Sequence, residues 1–172
     1  FEDLLANSPE KDKPAILRLI SGGEKVMIEA LDGKATIYEA KKIFKAYIDE
    51  CFKGWGLNKL GVATGETLLD VHEMVGDGTF VQIFNAITPD LDKIAMTQAQ
   101  IIRFCEKHPT WLRQDGYATL FLLKENDEYF VVRVGVYSVG LYVDVGRLGR
   151  GRVLDGEGRR RVVSPQLVPS AV

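Results

Sequence analysis

The chain has 172 residues and a mass of 19.2 kDa, with 46% hydrophobic residues, 27% charged residues and a net charge of −2. This composition excludes a disordered, collagen-like or repetitive protein, and no apolar run approaches the roughly 18 residues that span a bilayer. Two cysteines are too few for a disulfide framework, which favours a reducing compartment. The opening Phe1-Glu2-Asp3 lacks the regions of a signal peptide, so we expect a cytoplasmic bacterial-type protein.

The first elements in chain order are a predicted helix and a predicted strand. Ser8 and Pro9 are typical of the N-cap and first position of a helix that would end at Gly22-Gly23. The apolar stripe of this helix would comprise Ile16, Leu17 and Ile20. Residues 25–30 then predict a strand, and Asp32-Gly33 predicts the turn that follows it.

A second helix is predicted after this turn. Thr36 and Glu39 have the spacing of a capping box, and Gly54 ends the pattern. Apolar residues recur between them at helical spacing, namely Ile37, Ala40, Ile43, Phe44, Tyr47, Ile48 and Cys51. We expect this helix to bury its wide apolar face against the strand at 25–30, with a loop over 56–65.

The next stretch fits no single period. Residues 67–75 match neither a helix nor a strand cleanly, so both interpretations stay open. A short helix is predicted to start near Asp77 or Thr79. A second capping box, Thr97 with Gln100, opens another helix, which His108-Pro109 ends because the residue before proline disfavours helical backbone.

The last third of the chain is rich in β-branched and aromatic residues. Four runs predict strands, at 117–123, 129–137, 141–147 and 159–163. Turn residues divide them, namely Asn126-Asp127, Ser138-Val139-Gly140 and Asp155-Gly156. Short connections favour antiparallel neighbours. The predicted fold class is therefore α+β, with helices and a short strand pair in the N-terminal half, followed by a helix and a four- to five-stranded antiparallel β-meander or small barrel.

The same pattern suggests how the chain is organised. We predict an N-terminal α+β half over 1–88, a linker over 89–96, and a helix with a β-meander over 97–168. Residues 169–172 would form a loose tail. One continuous domain is the alternative, because the length suits either one ordinary domain or two small ones.

Several stretches resemble one group of short bacterial proteins. They are Thr97 to Ile102, Trp111-Leu112-Arg113, Gly116 to Thr119 and Val162 to Leu167, and the likeness extends to Asp32-Gly33, the helix after it and Phe52 to Gly56. The group consists of uncharacterised proteins predicted from candidate-phylum (Parcubacteria-like) genomes. The resemblance implies a small bacterial cytoplasmic protein and assigns no activity, so no functional residue follows from it.

Metal and cysteine chemistry find little support in the residues. A zinc site would need Cys51, Cys105, His72 and His108 together, without the paired C-x-x-C motifs of such sites. The H-E-x-x-H motif fails after His72, because its fifth position is Gly76. Cys105 lies on an apolar helix stripe, where a thiol is usually inert. We therefore predict no catalytic residue, metal or cofactor.

The distribution of arginine is the most informative feature. Residues 129–172 contain seven basic residues, all arginine, against three acidic ones, whereas Arg18 is the only arginine in the first 102 residues. Arginine pairs bidentately with phosphate and stacks on bases. The predicted binding surface comprises Arg147, Arg150, Arg152, Arg159, Arg160 and Arg161 on facing hairpin arms, with Tyr137 and Tyr142 placed to stack bases.

The leading prediction is a non-catalytic binding module whose partner is nucleic acid or an acidic protein. The ordinary alternative for these arginines is solvation of an edge strand, since alternation places Arg159 and Arg161 on one face and Arg160 on the other. A protein–protein adaptor that uses Trp55 and Trp111 is the next alternative function. A small enzyme of unknown class, centred on Cys105, His108 or the aspartates, is the third.

Overall fold

The computed structural model describes residues 15–115 and 117–167. Eight strands in this part of the chain form one mixed sheet: β1 (Leu17–Leu19), β2 (Val26–Ile28), β3 (Tyr47–Ile48), β4 (Thr67–Met74), β5 (Thr119–Glu125), β6 (Glu128–Tyr137), β7 (Gly140–Arg147) and β8 (Arg161–Pro165). The helices are α1 (Cys51–Gly54), α2 (Phe80–Asn85) and α3 (Gln98–Lys107), with 3₁₀ helices at Leu91–Lys93 and Pro109–Trp111. Within the described ranges, every helix is too short or too polar to cross a membrane.

The order of strands across the sheet is β1-β4-β8-β5-β6-β7-β3, and β2 pairs with β4 on the same side as β1. Strand β8 is antiparallel to β4 and parallel to β5. Strands β5, β6 and β7 form consecutive antiparallel hairpins, and β3 adds to β7 in parallel. The last strand of the chain therefore lies inside the sheet and connects its two sides.

Local turn chemistry accounts for the hairpins. Asn126 and Asp127 both have positive φ, 53° and 61°, as a two-residue turn of type I′ requires between β5 and β6. Gly140 has a φ of 135° where β7 begins, directly after Ser138-Val139. The predicted divisions at Asn126-Asp127 and at 138–140 are confirmed.

Side chains alternate along each strand and so point to both faces of the sheet, and both faces are covered by other elements. On one face, here the α3 face, Phe121 and Val132 pack with residues of α3 such as Phe104. On the opposite α2 face, Leu120 and Val131 pack with Phe84 of α2 and its neighbours. Burial on both faces explains why the central strands consist of near-continuous apolar runs.

The predicted fold class is wrong in its proportions and its topology. Strands dominate the described residues, and they form one mixed sheet that is not a closed barrel. The fourth run predicted for the meander, 159–163, does not extend the hairpins beyond β7. It forms β8 and pairs between β4 and β5, because this central position buries Val162 and Val163 on opposite faces.

The helix predicted after Thr36 is also wrong. The chain makes isolated turns there, followed by β3 and the four-residue α1. Ile37 and Phe44 are buried in the core without a helix, and the Ile37 amide donates to the Gln98 side chain of α3. The Asp49 amide donates to the Val143 carbonyl at 3.0 Å. These long-range bonds to β7 and α3 override the local helical pattern.

Other elements follow their sequence signals. Thr79 and Thr97 are N-caps with complete capping boxes, so the helices predicted at these positions are confirmed. The strand predicted over 25–30 is confirmed by β2, and the open stretch 67–75 is strand β4. The proposed start of the first helix at Ser8-Pro9 lies outside the described residues, but its later part is wrong because Leu17–Leu19 is strand β1.

Candidate functional site

A polar cleft lies on the α2 face of the sheet, beyond the part that α2 covers. Strands β6 and β7 form its floor, the segment 152–160 forms one wall, and its volume is about 220 Å³. The lining residues are Tyr117, Ala118, Arg133, Gly135, Tyr137, Tyr142, Asp144, Arg152, Leu154 and Arg160. We call this site the β6–β7 cleft. It contains four of the residues that the sequence predicts for binding.

An acid at the floor of the cleft organises two of its side chains. Asp144 is 8% exposed, and its carboxylate accepts from the Arg133 guanidinium and, at 2.6 Å, from the Tyr142 hydroxyl. The hydrogen bond to Asp144, together with burial, raises the pKa of Tyr142. Tyr142 therefore stays neutral, and the buried carboxylate is compensated by Arg133.

Aromatic rings form one side of the cleft. The Tyr137 and Tyr142 rings meet edge to face with centroids 5.8 Å apart, and Tyr47 of β3 stacks on Tyr142 at 5.2 Å. Gly135 makes room for this arrangement, because a Cβ there would lie 3.2 Å from the Tyr137 ring. Tyr137 is 47% exposed, so part of its ring is open to a ligand that stacks.

Basic side chains line the opposite wall. The Arg160 guanidinium lies 5.4 Å from the centre of the Tyr117 ring and donates to the Asp155 carbonyl at 3.2 Å. Arg113 approaches the same ring at 5.8 Å. Arg152 has no hydrogen bond or ion pair to any other side chain in the ranges that the structure describes. The cleft thus contains Arg133, Arg152 and Arg160 against the single acid Asp144. This excess of positive charge favours an anionic ligand.

Two further predicted arginines lie at a different site, next to the end of β7. Arg147 pairs with Glu128 at 2.8 Å and stacks over the Trp55 ring at 4.5 Å. Arg150 follows in the turn after β7. Both line a groove of about 690 Å³ that also contains Trp55 and Leu148, which we call the edge groove. Its walls are mostly apolar, unlike those of the β6–β7 cleft.

The remaining two predicted arginines are engaged in holding the fold. Arg159 pairs with Glu73 of β4 at 3.2 Å. Arg161 points to the α3 face, where it donates to the Trp111 carbonyl at 2.9 Å, and burial lowers its pKa. The structure therefore distributes the six arginines over three places. It brings Arg152 and Arg160 together with both predicted tyrosines.

Cys105 and His108, two residues of the enzyme alternative, lie in structural surroundings. Cys105 is 3% exposed and burial raises the pKa of its thiol, which keeps the thiol protonated. His108 is held by the Met27 carbonyl at 2.8 Å. In the described part of the chain, no group of three or more histidine, cysteine, aspartate or glutamate side chains is placed to hold a metal ion.

Three charged or aromatic residues of the cleft were not predicted as binding residues from the sequence. Arg133 and Asp144 face each other across β6 and β7, and Tyr117 precedes β5. The signal for the first two was available, because period-two alternation places Arg133 and Tyr137 on the same face of β6. Tyr117 joins the site only through the return of the 152–160 segment, which no local pattern predicts.

Comparisons of the chain with protein-family models, with curated proteins and with solved structures found no match. The resemblance described from the sequence stays a prediction. The functional argument therefore depends on the residues of the chain and on their geometry alone.

Proposed function

We propose that the protein is a non-catalytic binding module and that the β6–β7 cleft binds single-stranded nucleic acid. The observation that carries this proposal is the pairing of Arg152 and Arg160 with the exposed ring of Tyr137 in one small cleft. Guanidinium groups pair with phosphate, and tyrosine stacks on a base of any sequence.

The size of the cleft supports one base as the occupant, stacked on Tyr137, with the phosphates on either side of it at Arg152 and Arg160. A volume of about 220 Å³ is below the range of roughly 300–1,000 Å³ for sites that enclose a drug-sized ligand. The neighbouring nucleotides would lie along the surface outside the cleft. Such a site predicts weak affinity for each nucleotide, with little preference for sequence.

We also place this module in the cytoplasm. Both cysteines, Cys51 and Cys105, are free thiols, and a reducing compartment preserves thiols in this form.

Fluorescence anisotropy tests the proposal. Binding of labelled, mixed-sequence single strands of RNA and DNA is measured over a series of salt concentrations. Each lost phosphate contact reduces the slope of log K against log salt by about 0.7 for single strands. We expect Arg152→Ala with Arg160→Ala to reduce the slope by about 1.4, and Tyr137→Ala to weaken binding by roughly 1–3 kcal/mol.

The control is Arg18→Ala, which removes one exposed arginine that pairs with Glu73 away from the cleft. Its salt slope should equal that of the unaltered protein. Absence of binding at low salt, or an equal loss of slope in the control and in the cleft variant, would contradict the proposal.

A further inference from the structure

The edge of β7 presents unused backbone groups beside the edge groove. Strand β3 covers β7 only at Tyr142 and Val143. The Leu148 amide donates to the Tyr129 carbonyl, so alternation turns the backbone groups of Val145 and Arg147 away from β6. The Asp49 carboxylate accepts from the Val145 amide at 3.3 Å, and the Arg147 carbonyl accepts from the Arg150 amide.

In the described part of the chain, two backbone groups have no backbone partner after these bonds are counted; they belong to residues that line the edge groove, of which Val145 as a whole is 5% exposed. Among residues 15–115 and 117–167, the Val145 carbonyl and the Arg147 amide have no backbone partner. The two groups lie on either side of Gly146: the Val145 carbonyl is a hydrogen-bond acceptor, and the Arg147 amide is a donor. One residue of an extended chain satisfies both, because its amide donates to Val145 while its carbonyl accepts from Arg147. The edge is thus complementary to a short added strand.

The edge groove provides the contacts that side chains of such a strand would need. Trp55 and Leu148 supply apolar surface, and the volume of about 690 Å³ accommodates more than one side chain. Arg150 has no acidic partner among the described residues, and Arg147 shares a single glutamate. A peptide with acidic residues beside its apolar ones therefore fits the charge of the groove better than a neutral or basic peptide.

We propose that residues 145–147 of β7, together with the edge groove, bind an extended acidic and apolar peptide segment of a partner protein by strand addition. A second copy of this chain is disfavoured as the occupant. A two-fold antiparallel pairing of β7 with β7 about Gly146 would place Arg147 diagonally across from Arg147 of the other copy, about 7–8 Å away, and these like charges repel. This inference is independent of nucleic-acid binding in the β6–β7 cleft.

Two experiments test this inference. The first is a selection of random heptapeptides on the immobilised protein. In the second, synthetic versions of the selected peptides are added to the Trp111→Phe variant, and binding is followed by the fluorescence of Trp55. We expect enriched peptides with apolar and acidic residues that change the Trp55 emission. Arg150→Glu should weaken their binding by roughly tenfold or more, as should N-methylation of the one amide that pairs with Val145. Lys34→Glu is the matched control, since it makes the same charge change at an exposed position away from the groove.

Four results would overturn the inference. The first is a selection without enriched peptides, and the second is a set of peptides that bind the Arg150→Glu variant as tightly as the Lys34→Glu control. The third is a scan of N-methylated peptides in which no single amide matters. The fourth is a dimer in sedimentation velocity that is lost in the Arg150→Glu variant, because this result would assign the edge to a second copy of the chain.

Discussion

Gln98 holds the irregular segments of the chain onto α3, and its replacement should weaken the fold in a way that the structure quantifies. Its Oε1 atom accepts from the Ile37 amide at 2.9 Å, and its Nε2 atom donates to the Leu57 carbonyl. All three residues are buried. In Gln98→Leu both backbone groups lose this partner at a cost of about 1–3 kcal/mol each, and the apolar leucine offsets roughly 1–2 kcal/mol. The two losses sum to roughly 2–6 kcal/mol, so the central value of the expected loss in the free energy of unfolding is about 2.5 kcal/mol after the offset.

Urea unfolding followed by tryptophan fluorescence measures this loss. At a typical m-value of about 2 kcal/mol/M, the midpoint should fall by roughly 1 M while the m-value stays unchanged. Gln114→Leu is the control of the same residue type. Gln114 is exposed, and its Nε2 atom donates to the Leu112 carbonyl at 2.9 Å, so this variant loses a bond to a carbonyl but leaves no backbone amide without its partner. Its free energy of unfolding should fall by about 1 kcal/mol. A Gln98→Leu variant as stable as this control would refute the reasoning.

Two further outcomes are expected from buried groups. Burial lowers the pKa of His72 from 6.5, so the unfolded chain binds the proton more readily than the folded one. Stability should therefore fall as the pH drops below about 6.5. His72→Gln should remove this part of the pH dependence, which urea titrations at pH 7.5 and 5.5 measure. In Cys51→Ser, Cys105 is the sole thiol, and it should resist iodoacetamide at pH 8 until denaturant is added, since burial raises its pKa. Rapid alkylation of the native variant would contradict the burial of Cys105.

The sequence predicted those elements whose signals are local. The capping boxes at Thr79 and Thr97 specify helix starts within four residues, and the Asn126-Asp127 pair specifies a hairpin. The segment after Thr36 shows the limit of this reasoning. Its apolar residues have helical spacing, yet Ile37 and Phe44 reach the core from irregular backbone, because bonds to α3 and β7 are available only in the folded chain.

The same limit applies to the candidate site. Composition indicated an arginine-rich C-terminal region, and in the structure Arg160 lies in the cleft while Arg161 lies on the α3 face. The partition of the arginines between the cleft, the groove and contacts that hold the fold depends on pairings such as Arg159 with Glu73, which are 86 residues apart. Local patterns cannot specify partners at such separations. The cleft itself depends on the return of segment 152–160 over the sheet.

The central position of β8 has a consequence for how the protein is made. Strands β1, β2 and β4 are joined to β5, β6 and β7 in the sheet only through Arg161–Pro165, near the end of the described chain. During synthesis, the edges of β4 and β5 that await β8 present open backbone groups and apolar side chains until β8 is made. Such edges are sites of aggregation. The nascent chain should therefore depend on chaperones until β8 leaves the ribosome, and completion of the sheet should be a late, slow step of folding.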